Sequence, residues 1–185
     1  MVARRLPRAE RREQILAAAT GAFARGGYAA TGLDEVAAAA GVTHVILYRH
    51  FTSKNELYRA VLDRARDHLA GTVGSEYDGG SVTQLVHAAA ADPDGFRLLF
   101  RHAAREPEFR DVVDRMRDAG TAIAHHYLDA AIPEPAWRDW AARLIPTVAQ
   151  EAVIAWLDAG QPDPEHAAER VVAAIDGVVR AAQKD

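Results

Sequence analysis

Cysteine is missing from this 185-residue chain. Its absence excludes disulfide bonds, a thiolate nucleophile and the common Cys-containing zinc sites. Long apolar runs are missing too: no segment reaches about 18 consecutive apolar residues, so we expect no membrane-spanning helix. The opening residues, MVARRLPRAERRE, lack the apolar stretch of a signal peptide. These absences together predict a cytoplasmic protein that does not contact a membrane.

The sequence also lacks the short motifs that mark common enzyme classes. It contains no nucleophile elbow, no phosphate-binding loop and no H-E-x-x-H helix. His102 and Glu106 are spaced as i and i+4, but two ligands do not make a metal site. His125 and His126 are adjacent, and adjacent helical side chains point about 100° apart. We therefore expect no enzyme, no metal site and no cofactor.

Apolar content and charge distribution are the informative bulk properties. The chain is 49% hydrophobic, which is enough to bury a core. Its formal net charge is -4, but residues 1–59 hold 9 Lys and Arg against 5 Asp and Glu, which leaves 13 against 21 in residues 60–185. Such a division indicates a segment that faces nucleic acid, joined to a segment with another role.

Apolar residues recur at helical spacing almost throughout, and no alternating pattern predicts a strand. The predicted fold class is therefore all-α. Gly26-Gly27 should end the first helix, and the glycine- and serine-rich segment 71–81 should form a loop. Prolines flank most of the later segments, as expected of helix boundaries. The first predicted helix starts near Pro7. The later ones are predicted over residues 33–40, 43–50, 54–69, 82–90, 93–105, 108–130, 136–159 and 164–182.

Residues 33–50 match a helix-turn-helix pattern, in which the second helix enters the major groove of DNA. Gly41 suits the turn because a left-handed backbone costs glycine little. Thr43 can cap the second helix, and Ser53 with Glu56 predicts a capping box for the next one. With Leu47 turned inward, the side chains left for the outer face or its ends are Thr43, His44, Val45, Tyr48, Arg49 and His50.

The chemistry of these side chains suits DNA. Arg49 can pair with guanine or phosphate, Tyr48 and Lys54 suit phosphate oxygens, and Val45 or Ile46 can contact a thymine methyl group. For Tyr48 the alternative is a core tyrosine, and for His50 it is a cap on the preceding helix. The basic arm, residues 1–8, can follow the backbone or enter a minor groove, although a solvated terminus explains it equally well.

A set of spaced anchors in residues 9–62 resembles the N-terminal domain of the TetR family of transcriptional regulators. The resemblance implies a homodimer that binds an inverted-repeat operator in double-stranded DNA through paired helix-turn-helix units. It also implies a C-terminal helical domain that holds a small effector. The anchors are Gly21-Ala22-Phe23, Gly26-Gly27-Tyr28, Thr31, Val36-Ala37, Ala40-Gly41-Val42, Leu47-Tyr48, His50-Phe51 and Ser53-Lys54.

The resemblance assigns individual roles as well. It implies base reading by His44 and Val45, and contacts to the DNA backbone by the remaining matched positions, Thr43, Tyr48, His50 and Lys54. Gly32 departs from the family pattern, because a serine or threonine is common there; Thr31 is the expected substitute for its hydroxyl. His44 and Val45 also depart, since lysine and a small residue or proline are frequent at these positions, so the resemblance does not carry over an operator sequence.

The resemblance divides the chain into a helix-turn-helix domain, residues 1–53, and an effector-binding and dimerisation domain, residues 54–185. The effector is expected to be small and apolar or amphipathic, because such pockets are mostly apolar with a few polar anchors. Ordinary core packing is the alternative for each candidate. The candidates are Phe96, Leu99, Phe100, His102, Met116, Ile123, His126, Tyr127, Glu151 and Trp156.

The last two predicted helices carry wide apolar faces. A four-helix contact with a second copy would bury them, and packing within one subunit is the alternative. The expected interface residues are Val148, Ala152, Val153, Val171, Val172, Ile175, Val178 and Val179.

The resulting hypothesis is a DNA-binding transcriptional regulator, most often a repressor in the family it resembles, that is released from its operator by a small-molecule effector. The alternative is a helical protein-interaction module without sequence-specific operator binding. Salt separates the two hypotheses, because phosphate contacts release counterions whereas an apolar protein contact is nearly insensitive to salt.

Overall fold

The computed structural model describes residues 6–73 and 80–183, and within those ranges it contains nine α-helices and no strand. The predicted all-α class is confirmed. The helices are α1 Arg8–Ala30, α2 Leu33–Ala39, α3 His44–Tyr48, α4 Lys54–Val73, α5 Ser81–Ala91, α6 Pro93–Arg97, α7 Arg110–Leu128, α8 Pro135–Asp158 and α9 Ala167–Ala182. Between α6 and α7 lie a π-helical turn, Leu98–His102, and two 3-10 turns, Ala103–Arg105 and Pro107–Phe109.

Some helix boundaries differ from the sequence prediction. The backbone leaves helical geometry at Gly27, where φ is 73°, but α1 resumes and continues to Ala30. Helix α4 runs to Val73 and α5 begins at Ser81, so the predicted loop 71–81 is wrong at residues 71–73 and at residue 81; residues 74–79 of that prediction lie outside the described ranges. The helix predicted over 93–105 is three short pieces, since a π-helical turn interrupts it.

Helices α1 to α4 close around a fully buried core at the N-terminal end. Phe23 from α1, Val36 from α2 and Leu47 from α3 are each 0% exposed, as is Phe51, which follows α3. Three elements thus fix one side of the short helix α3. The opposite side of α3 is necessarily turned to solvent.

An aromatic cluster joins this core to the C-terminal helices. The ring of Tyr58 lies 4.9 Å from those of Phe23 and Tyr28, and 4.6 Å from that of Phe109. Phe109 immediately precedes α7, so side chains on both sides of the predicted boundary at residues 53 and 54 pack together. Burial raises the pKa of Tyr58 far above its usual range. The boundary therefore divides the chain by expected role, whereas the core crosses it.

Helices α7, α8 and α9 pack side by side, α7 against α8 and α8 against α9. Pro146 lies inside α8, and a side chain added at Gly120 of α7 would come within 3.3 Å of the Pro146 ring. A second, smaller core fills the far end of this group; its members include Leu128, Ile132 and Ala141. None of the helices in the described ranges has the length and apolar character needed to cross a bilayer.

Candidate nucleic-acid interface and effector cleft

Helix α3 is held by local chemistry at both ends. The hydroxyl of Thr43 accepts a hydrogen bond from the Ile46 amide at 3.3 Å, which confirms the predicted N-terminal cap. Gly41 has a φ of 63°, as the turn between α2 and α3 requires. With Leu47 fully buried, Val45 is 63% exposed and Tyr48 is 48% exposed. A large apolar side chain and an aromatic side chain are thus presented to solvent on one short, capped helix.

His44 on this helix is positioned by two neighbours. Its Nδ1 lies 2.7 Å from Oδ1 of Asp34 at the start of α2. Its ring stacks on the ring of Tyr48, with centroids 4.6 Å apart and planes 24° from parallel. Asp34 was missed by the sequence analysis, because an acidic residue in the first turn of a helix is explained by the helix dipole alone.

The exposed surface of α3 includes five of the residues predicted to contact DNA. Thr43, His44, Val45, Tyr48 and Arg49 are all exposed and lie within one short stretch. Donors such as Arg49 and Tyr48 suit backbone phosphates, and His44 and Val45 suit base edges. We name this surface, formed by these five residues, the α3 face.

Two other residues predicted to contact DNA have different surroundings. Thr31 is only 1% exposed, and its hydroxyl donates to the Ala22 carbonyl at 3.3 Å, so its burial contradicts the expected phosphate contact. Lys54 is half-buried; its Nζ donates to the Ala29 carbonyl at 3.1 Å and lies 4.6 Å from the ring centroid of Tyr28. The geometry gives Lys54 a role in holding the start of α4 against the end of α1.

His50 lies half-buried beside the basic first turns of α1. Burial of the ring, followed by the charges of Arg8, Arg12 and Arg11, lowers the pKa of His50. Its Nδ1 is buried and has no hydrogen-bond partner in the described part of the chain. Arg12 itself lies over the ring of Phe51 at 5.0 Å. Positive charge therefore extends from α1 to the end of α3. Residues 1–5 of the expected basic arm lie outside the described ranges.

The capping box predicted at the start of α4 forms in a modified way. The Glu56 amide donates to the Ser53 hydroxyl at 3.1 Å, as expected. The Glu56 carboxylate accepts from the amide of Thr52 at 2.7 Å and from its hydroxyl at 2.6 Å. These hydrogen bonds, led by the one from the Thr52 side chain, lower the pKa of Glu56. The link between α3 and α4 is therefore fixed by two adjacent residues, Thr52 and Ser53.

A polar joint connects the base of α4 to the start of α7. Arg59 donates to the Glu108 carbonyl at 2.9 Å and pairs with Asp111 at 3.3 Å. The amide of Asn55 donates to the Glu108 carboxylate at 2.7 Å. Arg59 also lies 5.3 Å from the ring centroid of Phe109. We name this set, Asn55, Arg59, Glu108 and Asp111, the α4–α7 joint.

A cleft of about 770 Å³ lies among α4, α5, α7, α8 and α9. This volume is within the usual range of about 300–1,000 Å³ for small-molecule sites. Most lining residues are apolar; the charged or polar side chains among them include Arg66, Arg115, Gln150 and Asp176. Arg66 pairs with Asp63 and Asp67, and Arg115 with Asp111. The cleft is thus an apolar groove with a few polar groups.

The cleft contains only part of the predicted effector set. Phe100, Met116, Ile123 and Tyr127 line it, whereas the other six candidates do not. This second group lies in cores, in half-buried packing or on the surface, because the positions of these residues on their own helices turn the side chains away from the cleft. Its members are Phe96 and Leu99, which are buried; His102 and Trp156, which are half-buried; and His126 and Glu151, which are exposed.

Most residues predicted to form a dimer interface face their own chain. Val153 is fully buried and Val171 is 4% exposed. Val172, Ile175 and Val179 line the cleft, Val178 packs against the smaller core and Ala152 against the larger one. Five residues turn a helix by about 500°, which is one full turn plus about 140°. On α8, Val153 therefore points to roughly the opposite side from Val148. Of the eight expected residues, only Val148 is outside these packed groups.

The outward side of α8 has an apolar surface of its own. Trp137 and Trp140 are 48% and 40% exposed, and their rings meet edge to face at 5.7 Å. Their spacing with Leu144 and Val148 places all four on one side of the helix. Neither tryptophan was predicted at a protein interface, because the aliphatic pattern of α8 is longer than the aromatic one. In the described ranges, no cluster of three or more His, Asp or Glu side chains could hold a metal ion.

Comparison with known proteins identifies relatives for the N-terminal region. Residues 15–61 match the family model described as bacterial regulatory proteins, tetR family. The transcriptional activator FasR of Mycolicibacterium smegmatis is 43% identical over 107 residues, which cover 53% of this chain and 49% of that protein. The chain thus spans about half the length of the curated relatives it matches.

Two solved structures show that the same fold extends over the C-terminal helices. A TetR-like transcriptional regulator from Rhodococcus sp. RHA1 superposes with a TM-score of 0.75 at 22% identity, covering 92% of this chain and 96% of that one. The regulator FadR of Bacillus subtilis, solved with stearoyl-CoA, has a TM-score of 0.68 at 14% identity, covering 90% and 97%. At these identities the likeness concerns the fold.

Proposed function

We propose that the chain, which matches the TetR family model over residues 15–61, is a transcriptional regulator that binds an operator and is released by a small effector. The observation that carries the proposal is the α3 face. Val45 and Tyr48 are exposed on a capped helix whose other side is fixed in a fully buried core. A recognition helix contacts thymine methyl groups through exposed apolar side chains and phosphates through hydrogen-bond donors, and the α3 face has both.

We propose that Thr43, Tyr48, Arg49 and the first turns of α1 contact the DNA backbone. The charges of Arg8, Arg11 and Arg12 act on His50, so they lie on the same side of the domain as the end of α3. Phosphate contacts from this side would hold α3 in the groove, while His44 and Val45 face base edges. Lys54 and Thr31 then contribute indirectly, by holding α1 and α4 around the recognition helix.

We propose a homodimer as the binding form. Two recognition helices read an inverted repeat when they are held about 34–36 Å apart, one turn of DNA. The outward side of α8 is the best candidate surface, because Trp137 and Trp140 are exposed there and large aromatics are enriched at protein interfaces. This replaces the inward-facing valines of α8 and α9 as the proposed interface.

The cleft is the proposed effector site. Its volume and apolar lining suit a small apolar or amphipathic molecule, and the structure of the FadR neighbour contains the acyl compound stearoyl-CoA. Three helices that line the cleft, α7, α8 and α9, are also the group that carries the proposed dimer surface. An effector that favours another arrangement of these helices would therefore change the spacing of the recognition helices.

The α4–α7 joint supplies a route for that change. Arg59 connects α4 to the start of α7, and Tyr58, one residue before it, packs against Phe109. A shift of α7 would therefore move the base of α4, which Lys54 ties to α1. Release follows only when the effector binds the two arrangements unequally. Repression is the proposed outcome when the operator overlaps a promoter.

Selection of bound fragments from random DNA with the purified full chain tests this function. We expect an inverted repeat, and an affinity for it that falls steeply between about 50 and 200 mM salt, as counterion release requires. Binding with a flat salt response would favour the protein-interaction module. A promoter-reporter assay with the selected operator then measures the direction of regulation, and the relative FasR, named an activator, makes this readout necessary.

A further inference from the structure

We propose that Asp34 is a positioning residue for sequence reading: it orients His44 so that the histidine reads one base pair in each operator half-site. This inference rests on the proposed function. It concerns a residue of α2, outside the α3 face. Asp34 is held to the recognition helix by one short contact, 2.7 Å between its Oδ1 and the Nδ1 of His44.

The contact determines which atom of His44 remains for DNA. A carboxylate only accepts hydrogen bonds, so Nδ1 of His44 must donate its proton to Asp34. Tyr48 covers one face of the imidazole at 4.6 Å. Nε2 is then the one polar atom of the side chain left free of these two neighbours. A single nitrogen forms one hydrogen bond, so His44 addresses one base edge and hence one base pair.

Affinity alone does not explain an acidic residue at this place. The side chain of Asp34 is 84% exposed next to a helix proposed to enter a groove lined by phosphates, and a negative charge there opposes binding. Fold stability gives no reason for the contact with His44 either, because Glu35 supplies the same interaction with the helix dipole and an exposed ion pair contributes only about 0.2–1 kcal/mol. Orientation of His44 is the remaining effect, and its consequence is discrimination between bases.

Glu35 provides a matched control. It is the next residue in the first turn of α2 and is also exposed, so it shares the charge and the interaction with the helix dipole. Within residues 6–73 and 80–183, no hydrogen bond or ion pair joins Glu35 to a side chain of α3. Removing either carboxylate should raise affinity for every DNA sequence by a similar factor. Only removal of Asp34 should free the imidazole.

The experiment compares the base preferences of the full-length wild type, D34A, E35A, D34N and H44A by sequencing fragments selected from random DNA. We expect H44A to lose preference at one position of each half-site, by about fivefold or more. In D34A the base preference at the same position should fall about two- to fivefold. In E35A every base preference should stay within about twofold of the wild type. D34N should retain the preference, because its amide oxygen still accepts from Nδ1.

The outcomes separate this inference from the proposed function. A wild type that enriches no sequence contradicts operator binding itself. A wild type that enriches an inverted repeat, with D34A and E35A indistinguishable at every position, overturns only the role of Asp34. Loss in D34N equal to that in D34A also overturns it, because the hydrogen bond would then not be the cause. Thermal unfolding of the variants confirms that α2 remains folded.

Discussion

The two ends of the molecule use apolar side chains in opposite ways. Around α3, the inward aliphatic and aromatic side chains of Phe23, Leu47 and Phe51 are fully buried, and Val45 and Tyr48 remain exposed on the outer side of the helix. Among α7, α8 and α9, apolar residues such as Ile123 and Ile175 instead surround an unfilled cleft. A filled core holds a rigid reading surface, whereas an unfilled one leaves room for a ligand. The filled core therefore suits the proposed DNA recognition, and the incompletely packed cleft suits the proposed effector binding.

The largest expected effect tests whether these two regions share a core. Phe109 is fully buried against Tyr28 and Tyr58, with ring centroids 5.1 and 4.6 Å away. Truncation of a buried phenylalanine leaves a cavity and costs about 3–5 kcal/mol. We expect Phe109→Ala to lower the free energy of unfolding in urea by that amount, in one transition. Tyr127→Ala is the control, since Tyr127 is 53% exposed. Two separate transitions would show that the regions unfold independently.

A second change acts on the rigid surface alone. We expect Tyr48→Ala to weaken operator binding about tenfold or more, because a hydrogen bond to a charged group such as phosphate is worth about 1.5–3 kcal/mol. Random DNA should lose affinity too, since phosphate contacts carry no direct sequence information, and preferred DNA should lose somewhat more because the Tyr48 ring also stacks on His44. Tyr127→Ala serves again as the matched control, and its affinity in the absence of effector should not change. A gel-shift titration measures both, and full affinity of Tyr48→Ala would contradict the proposed docking.

Filling the cleft should affect the C-terminal region without changing the α3 face. Ile123 lines the cleft, whereas Ala122 on the same helix is exposed and does not. We expect Ile123→Trp to reduce binding of a fluorescent apolar probe about tenfold, because the larger side chain takes up part of the cleft. Ala122→Trp adds a tryptophan outside the cleft and should bind the probe normally. Equal probe binding by the two variants would locate the apolar site elsewhere.

The smallest expected effect concerns the ion pairs that Arg97 and Arg101 form with Asp158. Hydrogen bonding by Arg101, and then by Arg97, lowers the pKa of Asp158 at the end of α8. The folded state thus favours the charged carboxylate, and this stabilisation is present above the unfolded pKa of about 3.9 and is lost as pH falls through the lower folded value.

We therefore expect Asp158→Asn to lower the free energy of unfolding at pH 7 by at most about 1 kcal/mol, because the side chain is 39% exposed to screening water. The difference from the wild type should disappear at strongly acidic pH. Glu165→Gln, at an exposed position, is the control in the same urea titrations. A difference that persists at pH 2 would show that packing, and not charge, is responsible.

The sequence predicted the surface of α3 better than it predicted the cleft, and the reason is physical. Local signals determine the recognition helix: Gly41 sets the turn, Thr43 caps the helix and Leu47 selects its buried side. The exposure of Tyr48 followed from these signals. Thr31 could not be placed in the same way, because its burial depends on the carbonyl of Ala22, nine residues earlier.

The cleft shows the opposite case. Helical spacing shows that Val172 and Ile175 share a side of α9, but not whether that side meets a cleft, a core or a second chain. For this reason most residues predicted at the dimer interface pack within their own chain or line the cleft, and six of the ten effector candidates lie outside the cleft. Packing several helices together is a property of distant parts of the chain, and no local pattern records it.

The sequence by itself determined the all-α class, the start of α1, the helix-turn-helix and the outward residues of α3, because caps, turns and periodicity act over a few neighbouring residues. Only the tertiary structure decided the contact of Asp34 with His44, the attachment of Lys54 to α1, the α4–α7 joint and the cleft. Each of these joins residues on separate helices, and their meeting depends on how the whole core packs.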